Sequence, residues 1–292
     1  MEYRDCATAV PHSQGDKKMS TRQTLNDLSE RLSLSDRMPV LFLGHGSPMN
    51  AIEDTEFSRA WIEIGKTLPR PQAILVVSAH WITRNTTLVD VSAMPRTIHD
   101  FYGFPDALYE QRYDAQGNPE LAREVATLLA SHHAETDDTW GLDHGAWTVL
   151  KFLFPDADVP VFQLSIDMSK DLDYQLEIGK LLSSLRDRGV LILGSGNVVH
   201  NLRAMRPGGR PQDFALEFDS LFADRLAQRD FDTLADRKGL GSLLTMAHPS
   251  VDHYLPALTV AGASNDRDAL TFMTDSIDLG SVSMRSFLFH AT

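Results

Sequence analysis

Three histidines follow closely on apolar, β-branched runs, and a histidine placed there can hold a metal. His45 stands two residues after the run VLFL, in Gly44-His45-Gly46-Ser47-Pro48. His80 ends the run Ile74–His80 (ILVVSAH), and His200 lies seven residues after VLIL, in Gly194-Ser195-Gly196-Asn197-Val198-Val199-His200. Neutral imidazole offers a lone pair at pH 7 and is the commonest protein ligand for metals. Ligands of open α/β sheets bind at the carboxyl ends of strands, where the loops converge. Any one of these histidines alone is as well explained as a loop or capping residue; three at the ends of strands in one sheet favour a metal. The chain has no HExxH and no CxxC, so no short zinc motif decides the matter. Gly44 and Gly46 let the backbone turn beside His45, and Gly194 and Gly196 bring the backbone close near His200. Ser47-Pro48 is suited to start a helix, with the serine as cap. GSGN lacks the full GxGxxG spacing and the Lys/Ser that would make it a phosphate loop.

The elements that must carry these histidines can be read from periodicity. Val40–Leu43, Ala73–Ser78, Val159–Ile166 and Val190–Leu193 are short apolar runs that read as strands. Helical spacing predicts helices over Glu56–Thr67, Pro119–Ser131, Ala146–Phe154, Asp171–Arg188, Phe214–Ala227 and His253–Ala263. Phe272, Met273, Ile277 and then Ser281–Phe289 read as closing strands. Continuous apolar strands are buried on both faces, as in a mostly parallel sheet, and their alternation with helices gives an α/β fold. The expectation is a single domain over residues 38–292, with a mostly parallel, central mixed sheet flanked by helices and a metal site at the carboxyl ends of its strands. Residues 1–37 read as a polar extension, partly disordered, with a short amphipathic helix over Thr21–Leu34.

Composition narrows the function classes. The net charge is -13, and an acidic surface repels phosphate backbones, so nucleic acid is not an expected partner. A lone cysteine, Cys6, rules out an intramolecular disulfide and any cysteine-built zinc or iron–sulfur site. The first 30 residues lack the apolar core of a secretory signal, and no apolar run approaches a membrane span. A cytoplasmic protein with no membrane partner is therefore expected. No heptad repeat specifies a coiled-coil dimer. His12, His132, His133 and His290 lie in polar or terminal stretches and are expected at the surface.

Seven segments, in order, resemble the class III extradiol ring-cleavage dioxygenases, the superfamily of the protocatechuate 4,5-dioxygenase catalytic subunit, and within it the 4,5-DOPA extradiol dioxygenase family. They are LFLGHGSPMN (41–50), PRPQAILVVSAHW (69–81), TIHDFYGFP (97–105), WGLDHGAW (140–147), PVFQLSID (160–167), GSGNVVHNLR (194–203) and DHYLPALTVAGA (252–263). The resemblance implies metal ligands at His45, His80 and His253. It places His200 at the metal as a ligand or as the acid/base beside it, and His144 in the pocket facing substrate or dioxygen. The wider superfamily uses two histidines and a carboxylate, so His253 is a departure. The resemblance further implies one non-haem metal per chain, Fe(II) for turnover with Zn(II) plausible as isolated, and a catechol and dioxygen as substrates. Ser47, His99, Phe101 and Tyr102 are candidate pocket residues: the three in TIHDFYGFP could form an aromatic lid, or a loop packed by its own side chains. Two other readings remain at this stage, a zinc-dependent hydrolase on the same scaffold and a binding protein with a vestigial site.

Overall fold

The computed structural model describes residues 37–292; the expected helix over Thr21–Leu34 lies outside them. Strand β1 is Val40–Gly44, followed by a 3-10 turn at Pro48–Ala51 and helix α1 (Glu56–Thr67). Then come β2 (Ala73–Thr83), β3 (Thr87–Asp90), the short α2 (Asp106–Tyr109), α3 (Pro119–Leu128), β4 (Ala134–Asp137), α4 (His144–Leu153) and β5 (Val161–Asp167). The second half runs α5 (Leu172–Leu182), β6 (Val190–Gly196), α6 (Asp213–Ala227), α7 (Phe231–Ala235), α8 (Arg237–Ala247) and α9 (Leu255–Ala263). It closes with β7 (Asp268–Thr274), the small pair β8 (Ile277–Asp278) and β9 (Val282–Ser283), and β10 (Ser286–Ala291).

One sheet of 8 strands has the order β4-β3-β5-β2-β6-β1-β10-β7. Its centre, β5-β2-β6-β1, is parallel throughout. β10 and β7 extend it by antiparallel pairing on one side, and β3 joins β5 antiparallel on the other. β1, β5 and β6 are buried along their whole length, as their uninterrupted apolar runs require. Successive side chains point to opposite faces. Val40, Phe42, Leu75, Val77 and Ile192 therefore pack with α5, α6 and α9 on one face. Leu41, Leu43, Ile74, Val76, Leu191 and Leu193 pack with Trp61 of α1 and Trp147 of α4 on the other. Each fully buried Val, Leu or Ile contributes roughly 1.5–3 kcal/mol, so both faces are strongly held and the strand ends are fixed points.

β2 runs past its expected end at Ser78. Its register against β5 passes from Val77↔Leu164 to Ile82↔Ile166, so five residues of β2 span two of β5. The resulting bulge swings the strand and re-aims its side chains, and His80 sits in it. His290 is not at the surface: it is 1% exposed, because β10 is an inner strand between β1 and β7. No helix among the described residues is long and apolar enough to cross a membrane.

Candidate metal centre

His45 is fixed by its backbone on both sides. Its N–H donates to Gly196 O at 3.0 Å, and Asn50 Nδ2 donates to its carbonyl at 3.1 Å. Gly46 turns the chain at φ +60°, where a side chain would be strained. Ser47 then caps the 3-10 turn by accepting from Met49 N. The His45 ring reaches Ser195 Oγ through Nδ1 at 2.9 Å, and its Nε2 lies 3.2 Å from Nε2 of His80.

His80 and His144 share one carboxylate. Asp100 Oδ2 is 3.3 Å from His80 Nδ1 and 3.0 Å from His144 Nδ1, the latter at ion-pair distance without an aligned hydrogen bond. Asp100 Oδ1 accepts from the backbone N–H of His144 at 2.9 Å. Burial alone would raise the Asp100 pKa, but the neighbouring His144, its backbone N–H included, and His80 hold it down at about 2. An ionised Asp100 thus favours the proton of His80 on Nδ1 and leaves Nε2 as the lone pair.

The first turn of α4 is pressed against the β2 bulge. Asp143 caps it through Ala146 N and accepts from Ser78 Oγ at 2.6 Å. A Cβ on Gly145 would stand 2.5 Å from Ser78 Oγ and 2.9 Å from His80 Cδ2, so only glycine allows the approach. As a result the His80 and His144 ring centroids are 3.9 Å apart.

His200 and His253 come from the far side of β6. Asn197 N–H donates to His253 O at 2.9 Å, and His200 N–H donates to Ala247 O at 3.0 Å. Their rings stack at 3.5 Å with planes 9° apart. His253 Nδ1 lies 3.4 Å from Asp252 Oδ2.

Two overlapping triads stand at the site, one by its donor atoms and one by the spacing of its rings. Ligand atoms of His45, His80 and His144 all lie within 4.8 Å of one another. The rings of His45, His80 and His253 form a near-equilateral triangle, with centroids 5.1, 5.2 and 5.0 Å apart. Imidazoles bound at about 2.0–2.1 Å to one tetrahedral ion place their centroids roughly 5 Å apart. Burial, followed by the neighbouring histidines, holds His45, His80 and His253 below the usual histidine range. All three are therefore neutral at pH 7, with lone pairs free for a cation. The donor set fits a mononuclear, non-haem metal.

A cleft of about 520 Å³ opens over these rings. Its wall includes His45, Ser47, His80, His144, His200 and His253, with Ile82, Phe104, Leu202, Met205 and Val282 supplying apolar surface. Of the candidates in TIHDFYGFP, none of His99, Phe101 and Tyr102 lines it. His99 Nε2 bonds Gln111 O at 2.9 Å. Phe101 backs the His144 ring from 5.6 Å, and Tyr102 is 91% exposed. His99 and Phe101 pack on Tyr109 and Trp147, outside the loop, and the loop's contributions to the site are Asp100 and Phe104. Asp100, Ser195 and Asp252 were not singled out from sequence. Asp100 and Asp252 stand directly beside the histidines His99 and His253, and that adjacency was the only signal available.

Residues 39–283 match the family model described as the catalytic LigB subunit of aromatic ring-opening dioxygenase. The chain is 46% identical over 261 residues to the 4,5-DOPA dioxygenase extradiol of Escherichia coli (strain K12), covering 86% of this chain and 94% of that one. It is 36% identical to the 4,5-DOPA dioxygenase extradiol of Beta vulgaris, over 87% of this chain and 97% of that one. A crystal structure of an uncharacterized protein from Escherichia coli K12 superposes with a TM-score of 0.74 at 41% identity, covering 87% of this chain and 100% of that one.

Proposed function

The chain belongs to the family of the catalytic LigB subunit of aromatic ring-opening dioxygenase, and from that premise we propose which catechol, metal and residues its reaction uses. It is a non-haem, metal-dependent extradiol ring-cleavage dioxygenase. Its substrates are DOPA or related catechols, opened with dioxygen by 4,5-type cleavage to a muconic semialdehyde, and its working metal is one Fe(II) per chain. The hydrolase and binding-protein readings are not favoured by relatives that carry dioxygenase names.

The observation that supports this most is the equal spacing of the His45, His80 and His253 rings at the floor of an apolar cleft. These three would hold the ion. When bound, Fe(II) would supply a redox couple for the reaction of catechol with dioxygen. His200 is the acid/base. An imidazole lone pair lies in the ring plane, and the His200 plane runs parallel to that of His253, so the two lone pairs lie side by side and do not converge on one ion. Burial pulls the His200 pKa down to about 4, leaving it neutral at pH 7 and able to take a catechol proton on a ring nitrogen. His144, held by Asp100, faces the reacting groups from the opposite wall. Phe104, Ile82 and Val282 offer an apolar bed for the aromatic ring.

Protein loaded anaerobically with Fe(II) and mixed with DOPA should turn yellow only when air is admitted, and the zinc-loaded protein should stay colourless. Equal yellow product from the zinc form would overturn the reading, since zinc has no redox change available.

A further inference from the structure

We propose that Ser195 is a positioning residue that decides which nitrogen of His45 faces the metal position; this rests on the reading of His45 as a ligand. A neutral imidazole carries its proton on one nitrogen and its lone pair on the other, and the choice is set by the hydrogen bond the protonated nitrogen makes. Ser195 Oγ is 2.5 Å from Gly145 O and 2.9 Å from His45 Nδ1. A carbonyl oxygen can only accept, and a hydroxyl has a single proton. The Ser195 proton is therefore committed to Gly145 O, and its oxygen can only accept from His45. That places the His45 proton on Nδ1 and the lone pair on Nε2, 3.2 Å from His80 Nε2.

His80 is oriented in the same sense by Asp100. Two nitrogen lone pairs then face each other across 3.2 Å, a repulsive arrangement that a cation between them relieves. The position is also mechanically suited. In the sheet, Ser195 is in register with Leu43 of β1 and Ser78 of β2, at the level where His45 follows β1 and β2 enters the bulge that carries His80. It is fully buried, so water cannot readily take the place of its oxygen. Its acceptor, Gly145 O, belongs to the residue after His144. One hydroxyl thus couples the tautomer of His45 to the start of the helix that carries His144. GSGN is thus no phosphate loop, and the serine in it has a different use.

The test is Ser195→Ala, read without turnover. In metal-free wild-type protein, nitrogen-15 NMR of the imidazoles should find His45 protonated at Nδ1. In the variant that preference should be lost. Affinity for zinc, measured by chelator competition, should fall roughly 10–100-fold, as when other residues that orient a metal-bound histidine are removed. Ser195→Cys keeps a weaker acceptor and should fall between the two; it carries the test if the alanine variant does not fold. A wild-type His45 protonated at Nε2, or a folded Ser195→Ala protein with unchanged tautomer and zinc affinity, would overturn the assignment. His45→Ala separates the layers. If it loses metal while Ser195→Ala does not, the Ser195 role alone fails. If it keeps metal, the ligand reading beneath the proposal fails.

Discussion

Alanine at His45 or at His80 is expected to take the protein from about one metal ion per chain to almost none after equilibrium dialysis. Both residues belong to the triad with gathered donor atoms and to the evenly spaced one, so either substitution leaves two nitrogens of its triad in a buried site that cannot close around a cation. The third ligand is resolved by the same assay. His253→Ala should also lose the metal, because its ring completes the 5.0–5.2 Å triangle. His144→Ala should retain most of it, because its ring lies 3.9 Å from His80 and 5.6 Å from His45, off that spacing. Elemental analysis of folded variants decides the point. Full metal in both His45→Ala and His80→Ala would remove the ligand assignment altogether. An empty His144→Ala beside a loaded His253→Ala would exchange their roles.

The second large effect is on turnover with the metal in place. His200→Ala should keep its ion and lose activity by roughly 10²–10⁴-fold, the usual cost of a missing acid/base group. The argument is geometric: stacked at 3.5 Å and 9° on the His253 ring, His200 cannot direct its own lone pair to an ion that His253 would hold. A catechol with a more acidic hydroxyl needs less help from a base, so it should recover part of the lost rate. His144→Ala should show a loss of the same order, without that recovery if its work is to face dioxygen and not the catechol proton. Loss of metal from His200→Ala would make it a ligand. An unaltered rate in the metal-loaded variant would exclude it from the chemistry.

The parts of the fold that were readable are those where burial wrote a continuous pattern. Glu56–Thr67 has the bounds its apolar spacing predicts, and β1, β5 and β6 begin within two residues of their apolar runs. β2 was cut short at Ser78 because Ser78 and His80 interrupt the apolar run just where the bulge lets pairing continue to Thr83. β3 and β4 are four residues each and partly polar, too short for periodicity to speak. Helix α8 was hidden by Gly239 and Gly241, the second of which has a non-helical φ of 53° inside it.

The site divides in the same way. His45, His80 and His200 were visible because each follows an apolar strand. His253 stands two residues before α9 and His144 is the first residue of α4, so neither follows an apolar strand, and only the family resemblance pointed to them. Asp100 was out of reach, since its meaning comes from a contact with His144, 44 positions away. His99 drew attention in its place, yet its ring packs against Phe101, Tyr109 and Trp147. A histidine among aromatic residues looks the same in sequence whether it faces a cleft or a core.

The central claim is that this histidine cluster holds a redox-active metal and spends dioxygen on opening a catechol. An oxygen electrode tests it most directly. Fe(II)-loaded wild-type protein with DOPA should consume about one dioxygen per ring opened, the stoichiometry of a reaction that puts both oxygen atoms into the product, and His45→Ala prepared in the same way should consume none above background. Ring-opened product formed without dioxygen uptake, or equal uptake by His45→Ala, would contradict the account.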